Sequence, residues 1–141
     1  MALLVGFLLV AVLGAFHHGC LRALDYLTGD DHDRPNWTVI GTFLGLLAIH
    51  TLEILLFAGA YALLLAWPDA GRLAGEHAET WNGLIYFSGI NFVTLGYTQI
   101  QAEGPIRVVN MMQSLGGFMV LTWSATFIYS TWEGAFRQER S

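Results

Sequence analysis

The chain has 141 residues, of which 55% are hydrophobic and 12% charged, about half the ~25% charged content of soluble domains. Its net charge of −5, with six basic residues that are all Arg, excludes a nucleic-acid binder, which needs a basic surface to meet phosphates. A single cysteine, Cys20, excludes an internal disulfide framework. No nucleophile, base and orienting acid assemble from it and the histidines, so the chain is not expected to be an enzyme. The apolar residues gather instead into long uncharged blocks, the pattern of an all-α membrane protein.

The first block, Met1 to Phe16, has no basic n-region and no small-x-small cleavage site. It is expected to be a retained N-terminal transmembrane helix over residues 1–21, not a signal peptide. At its end His17, His18 and Cys20 are metal-capable, but adjacent histidines point different ways on a helix and no C-x-x-C or H-x-x-x-H partner lies nearby, so an interface role is expected. Residues 22–36 read as a cytoplasmic connection. Its run Asp30-Asp31-His32-Asp33 lacks the glycine and closing glutamate of a calcium loop and reads as a solvated turn.

The second block runs from Trp37 to Trp67, interrupted only by His50 and Glu53. Their i,i+3 spacing sets this intramembrane polar pair on one helix face. Such a pair marks either a proton or ion path or a polar couple gluing the helix to its neighbours, and the couple is the expected reading. A haem site would need two histidines at matching depth, whereas here only His50 is read as deep and His17 and His18 as lying at a helix end.

The third block, Thr80 to Gln101, packs Gly83, Gly89, Gly96, Asn82, Asn91, Gln99 and Gln101 into one segment. Irregular backbone at membrane depth is tolerated only where protein or a water-filled cavity satisfies its peptide groups, so a re-entrant segment is expected here. Arginine counting agrees. With three spans, Arg22, Arg34, Arg137 and Arg140 share one side and Arg72 and Arg107 the other, whereas four spans leave three against three. The positive-inside rule then puts the N-terminus outside and the C-terminus in the cytoplasm of a multi-pass cell-membrane protein. Within the block a helix from about Thr80 to Val93, N-capped by Thr80, points its negative dipole end into the membrane centre at a strand-like stretch, Thr94 to Thr98.

The fourth block, Val108 to Trp132, carries Gly116 and Gly117 at mid-helix. Gly117 serves either as a hinge or as a close-packing position between helices. Helical spacing places Gly117, Leu121, Ser124 and Ile128 on one face, expected to line a cavity. Trp67, Trp81 and Trp132 near block ends fit an aromatic belt. The cytoplasmic tail, residues 134–141, is too short to fold into a sensor.

The motif TLGYT at Thr94 to Thr98, followed by an inner helix, resembles the TVGYG filter and pore domain of the tetrameric potassium channel family. The likeness runs from about Trp37 to Tyr129, and AIHTLEILLFAGAYALLL and SLGGFMVLTWSATFIY look like the outer and inner helices of small bacterial two-helix ion channel proteins. The resemblance implies a pore domain over residues 37–133, with outer helix, re-entrant pore helix, filter loop and inner helix, assembled as a four-fold homotetramer in the bacterial inner membrane. It implies passive conduction of potassium or another monovalent cation, with backbone carbonyls of Thr94, Leu95, Gly96, Tyr97 and Thr98 replacing the ion's water shell. No cofactor and no soluble partner are implied beyond lipid and the permeant ion. Four positions depart from the family: Val93 stands where a hydroxyl residue is common before the filter threonine, Ile90 where some members place a carboxylate behind the filter, and two more lie at the outer end. Thr98 stands where a second filter glycine is usual, and Gln99 where an acid follows. Consecutive carbonyls face one axis only if the backbone visits left-handed conformations, which a β-branched residue occupies at a cost. Selectivity is therefore expected to be relaxed, and the alternative is a non-conducting channel-like subunit or scaffold with a decayed filter. Gln99 and Glu103 would lie at the outer mouth, where Glu103 would concentrate cations.

Overall fold

The computed structural model describes residues 1–28 and 35–137. The run Asp30 to Asp33 and the last tail residues, 138–141, lie outside the described residues. Four helices follow one another: α1 (Ala2–Thr28), α2 (Pro35–Leu65), α3 (Trp81–Phe92) and α4 (Ile106–Arg137). Between them lie a 3-10 turn (Pro68–Ala70) and two three-residue strands, β1 (Arg72–Ala74) and β2 (Gln101–Glu103). The fold is an all-α membrane architecture. α1 and α2 are each long and apolar enough to cross a membrane, and the 32 residues of α4 extend about 48 Å.

Packing fixes the direction of each helix. Ala2, Val5 and Leu9 of α1 meet Tyr61 and Leu64 of α2 and Ile106 and Val109 of α4 in one cluster. At the other end Leu21 and Leu24 meet Leu46, Ile49, Phe127 and Ile128. α1 therefore runs antiparallel to α2 and parallel to α4. Small residues allow the close approach: a side chain at Gly6 would strike Met112, and one at Gly116 would strike Val10.

α1 does not stop at residue 21 but continues to Thr28, so the first part of the expected connection is helical. The cause is a buried face at Leu13, His17, Leu21 and Leu24, spaced four and three apart so that one side of the helix stays against its neighbours through the polar residues Arg22 and Asp25. The extension places His17 in the middle of α1, at the depth of His50, and not at a helix end.

α3 is short because it enters the bundle and does not cross it. Its N-cap Thr80 accepts a hydrogen bond from the Gly83 amide at 3.1 Å, as its sequence position predicts. Its last residue, Phe92, is fully buried with Leu13, Phe57 and Val120, near the mid-height of the three long helices. Twelve residues rise about 18 Å, roughly half of a ~30 Å hydrocarbon core. The chain then returns to the side from which it came, because β1 before α3 pairs antiparallel with β2 after it, Arg72 opposite Glu103 and Ala74 opposite Gln101. This ladder, which the sequence did not announce, closes the third block into a re-entrant loop.

Candidate functional site

The segment from Val93 to Tyr97 emerges from the buried end of α3 onto the surface of the chain. α3 ends in two backbone bonds, Thr94 N–H to the Asn91 carbonyl and Leu95 N–H to the Ile90 carbonyl, each 3.1 Å. This is a Schellman end, whose pivot residue adopts a left-handed conformation and is usually glycine. Here the pivot is Thr94, with φ 58°. Gly96 takes φ 64° without steric cost. Leu95 and Tyr97 project outward at 67% and 82% exposure. Among the described residues, no carbonyl from Thr94 to Tyr97 accepts a hydrogen bond.

The strain sits elsewhere than the sequence suggests. Thr98 is not among the positive-φ residues; its hydroxyl accepts from the Ile100 amide at 3.0 Å and tightens the turn leaving the stretch. Its β-branched side chain thus avoids the conformation that a second glycine would adopt, and the left-handed β-branched residue is Thr94 at the other end.

The two mouth residues part company. Gln99 is exposed. Glu103 is bonded to Arg72, whose Nε donates to its carboxylate at 2.6 Å across the β1–β2 ladder, so an arginine sits beside the carboxylate expected at the outer mouth.

Behind α3 lies a polar network that the sequence reading missed. The Tyr61 hydroxyl donates to Gln113 Oε1 at 2.6 Å, Gln113 Nε2 donates to the Ser88 carbonyl and hydroxyl at 3.1 and 2.9 Å, and the Ser88 hydroxyl donates to the Ile54 carbonyl at 2.8 Å. Tyr61, Ser88 and Gln113 are fully buried. The network ties α3 to both α2 and α4. The amide of Gln113, within the uncharged block Val108 to Trp132, was the available signal, since a buried amide must find partners.

The face of α4 expected to line a cavity packs against the chain's other helices. Gly117 is buried against α3, where a Cβ would collide with the Phe92 carbonyl oxygen. Of the two readings of this glycine, the packing one describes its contacts. Ser124 is buried, Leu121 packs beside Phe92, and Ile128 packs beside Leu21 and Leu24. The cavity-lining expectation is corrected for Gly117 and Ser124, because the absence of a Cβ at 117 draws α4 onto α3 and turns this face inward. The exposed face carries Leu115, Phe118, Met119 and Tyr129.

His50 and Glu53 are joined as their spacing predicts, Nδ1 to Oε2 at 2.7 Å. A third member was not anticipated. His17 Nδ1 lies 2.8 Å from the other carboxylate oxygen of Glu53, and His17 Nε2 lies 3.3 Å from the Ser124 hydroxyl. The two rings stack at 5.6 Å. An ionised Glu53 accepts from both rings, and Ser124 then donates to His17. The couple therefore glues α1, α2 and α4 together at mid-depth. The signal for His17 was its place in the i, i+4, i+7 series with Leu21 and Leu24. His18, its neighbour, stacks on Trp123 outside this group.

No curated protein and no solved structure matches the chain. Among known families, the one described as Ion channel matches residues 49–133, more than half of the chain, and the match spans the second half of α2, all of α3, the exposed stretch and nearly all of α4. With a re-entrant helix, a following stretch of bare carbonyls and a long closing helix inside that match, the chain belongs to this ion channel family.

Proposed function

We propose that the protein is a cation channel of potassium channel type, a homotetramer in which four copies of Thr94 to Thr98 line one axis and pass potassium or other monovalent cations. The observation that carries this reading is the row of carbonyls from Thr94 to Tyr97, which accept no hydrogen bond among the described residues at a level inside the bundle. Each unsatisfied carbonyl in lipid costs several kcal/mol, so the row needs water, partner subunits or cations around it. The negative end of the α3 dipole lies beside it and favours a cation. Gly96 supplies a left-handed step, φ 64°, of the kind that lets successive carbonyls turn toward one axis. Thr98 does not supply the second, which supports a filter with fewer sites in series and relaxed selectivity. Placement in the inner membrane of a bacterium, with the N-terminus outside, is part of the same proposal and rests on the arginine count.

The test is flux through liposomes containing the purified protein, with potassium, sodium and mixed gradients, and Thr98→Gly in parallel. The expected result is flux of both ions with potassium favoured, and a larger preference in Thr98→Gly. Silence in both proteins overturns conduction and leaves a channel-like subunit with a decayed filter, the reading favoured by the bonded Thr98 hydroxyl.

A further inference from the structure

We infer that His17, His50 and Glu53 form a binding site for a divalent first-row transition metal of the zinc class, held within one subunit between α1 and α2. The three side chains come from two helices that the match to the family only partly covers, since it begins at residue 49. Their ligand atoms, one nitrogen from each ring and one carboxylate oxygen, all lie within 4.8 Å of one another. Two imidazoles and a carboxylate are a donor set suited to zinc and its neighbours, whereas calcium and magnesium take six or more oxygens. Metal–ligand bonds of about 2.0–2.1 Å place tetrahedral ligand atoms about 3.3 Å apart. His17 Nδ1 and His50 Nδ1 lie 2.8 and 2.7 Å from different oxygens of Glu53, so whichever oxygen ligates, one ring is already within about half an ångström of that spacing and the other stays within 4.8 Å.

The surroundings fit a metal as well as they fit hydrogen bonds. A ligating histidine uses one nitrogen on the ion and fixes its ring by donating the other N–H to a neighbour. Ser124 sits on His17 Nε2 at 3.3 Å. Its hydroxyl donates there while Nδ1 carries the proton, and accepts there once the proton has moved to Nε2 and Nδ1 binds the ion. A residue able only to donate would serve one state, and a hydroxyl serves both. Access is provided on one side only: His17 and Glu53 are fully buried, and the His50 side chain is 16% exposed. His50 is thus the edge of the site, and a water or a small anion would complete a four-coordinate set there. Two neutral rings and one carboxylate around a divalent ion leave one net positive charge, comparable in magnitude to the bare carboxylate of the metal-free state. The site lies inside one subunit and does not rest on conduction.

Untagged full-length protein in nanodiscs, stripped with chelator, is titrated with cobalt and then with zinc. The expected result is one cobalt per chain with the intense visible bands of a four-coordinate ion, bleached by one equivalent of zinc. His17→Ala and His50→Ala should each weaken zinc binding at least about a hundredfold, and Ser124→Ala, which keeps all three ligands, about tenfold. His18→Ala should leave the affinity unchanged. Lack of visible bands, a weak six-coordinate spectrum, or binding that is lost in His18→Ala and kept in His17→Ala would overturn the site. If the ligand variants do not fold, the cobalt spectrum of the native protein and the Ser124→Ala affinity still decide, and an unchanged Ser124→Ala affinity would remove His17 from the ligand set.

Discussion

Thr94 carries the clearest conflict between local preference and position. A β-branched residue at φ 58° costs about 1–2 kcal/mol relative to an ordinary conformation, and the Schellman end of α3 would be served better by glycine. Strained residues persist where the surroundings hold them for a use, and in the proposed channel that use would be a second oxygen, the Thr94 hydroxyl, offered to the ion at the inner end of the carbonyl row. Thr94→Gly is therefore expected to raise stability by about 1 kcal/mol, seen as a higher melting temperature in detergent, while lowering the preference for potassium over sodium in the flux assay. A variant that is no more stable would show that the left-handed threonine is not strained. At Tyr61 the balance is reversed, because its hydroxyl answers a need. Tyr61→Phe leaves Gln113 Oε1 without its 2.6 Å donor in a fully buried site, an expected cost of about 1–3 kcal/mol. Removing both partners in Tyr61→Phe with Gln113→Leu should cost less than the sum of the single changes, which a thermal double-mutant cycle measures.

At the scale of elements, the contact between α3 and α4 depends on one missing atom. A Cβ at Gly117 would meet the Phe92 carbonyl oxygen, a backbone atom that cannot rotate away, so α4 must retreat. Gly117→Ala is expected to destabilise by about 1–3 kcal/mol. Gly134, in the same helix with nothing within 4 Å of its would-be Cβ, is the control: Gly134→Ala should stabilise by about 0.5–1 kcal/mol. Equal effects in thermal unfolding would refute the packing role of Gly117. The four helices were legible in the sequence because each rests on a local signal, an uncharged block or the Thr80 cap. The re-entrant turn was legible from the glycines and amides of the third block. What escaped depends on pairing across distance. Three-residue strands such as Arg72–Ala74 carry too short a pattern to announce a partner, and the match of Glu103 with Arg72 follows from that register alone. His17 was placed at a helix end because Arg22 and Asp25 look like the start of a connection, whereas the buried series through Leu21 and Leu24 carries the helix past them. The inward turn of Gly117 and Ser124 follows from a close approach between helices, which spacing along one helix does not reveal.

For the whole molecule, the direction of the three long helices and the β1–β2 ladder together sort the connections to two ends of the bundle. Met1, the segment from 66 to 80 and the segment from 99 to 105 gather at one end of the bundle, while Thr28, Pro35 and the end of α4 gather at the other. A chain that crosses three times and dips once has this arrangement, and a chain that crosses four times does not. Asp69 and Gln99 flank the dipping segment and are both exposed, so three spans are expected to put them on one side of the membrane and Gly134, near the end of α4, on the other. With Cys20→Ser as background, single cysteines at Asp69→Cys, Gln99→Cys and Gly134→Cys are treated with a membrane-impermeant maleimide in intact cells. Labelling at 69 and 99 without permeabilisation, and at 134 only after it, is the expected outcome, given that Arg72 and Arg107 lie at the poorer, outward end by the positive-inside rule. The reverse pattern, with 134 alone labelled, would keep the fold and invert the orientation. Labelling of 69 and 99 from opposite sides would mean that the third block spans the bilayer, and a carbonyl row that spans and does not return cannot be gathered with its copies into a filter entered from one face.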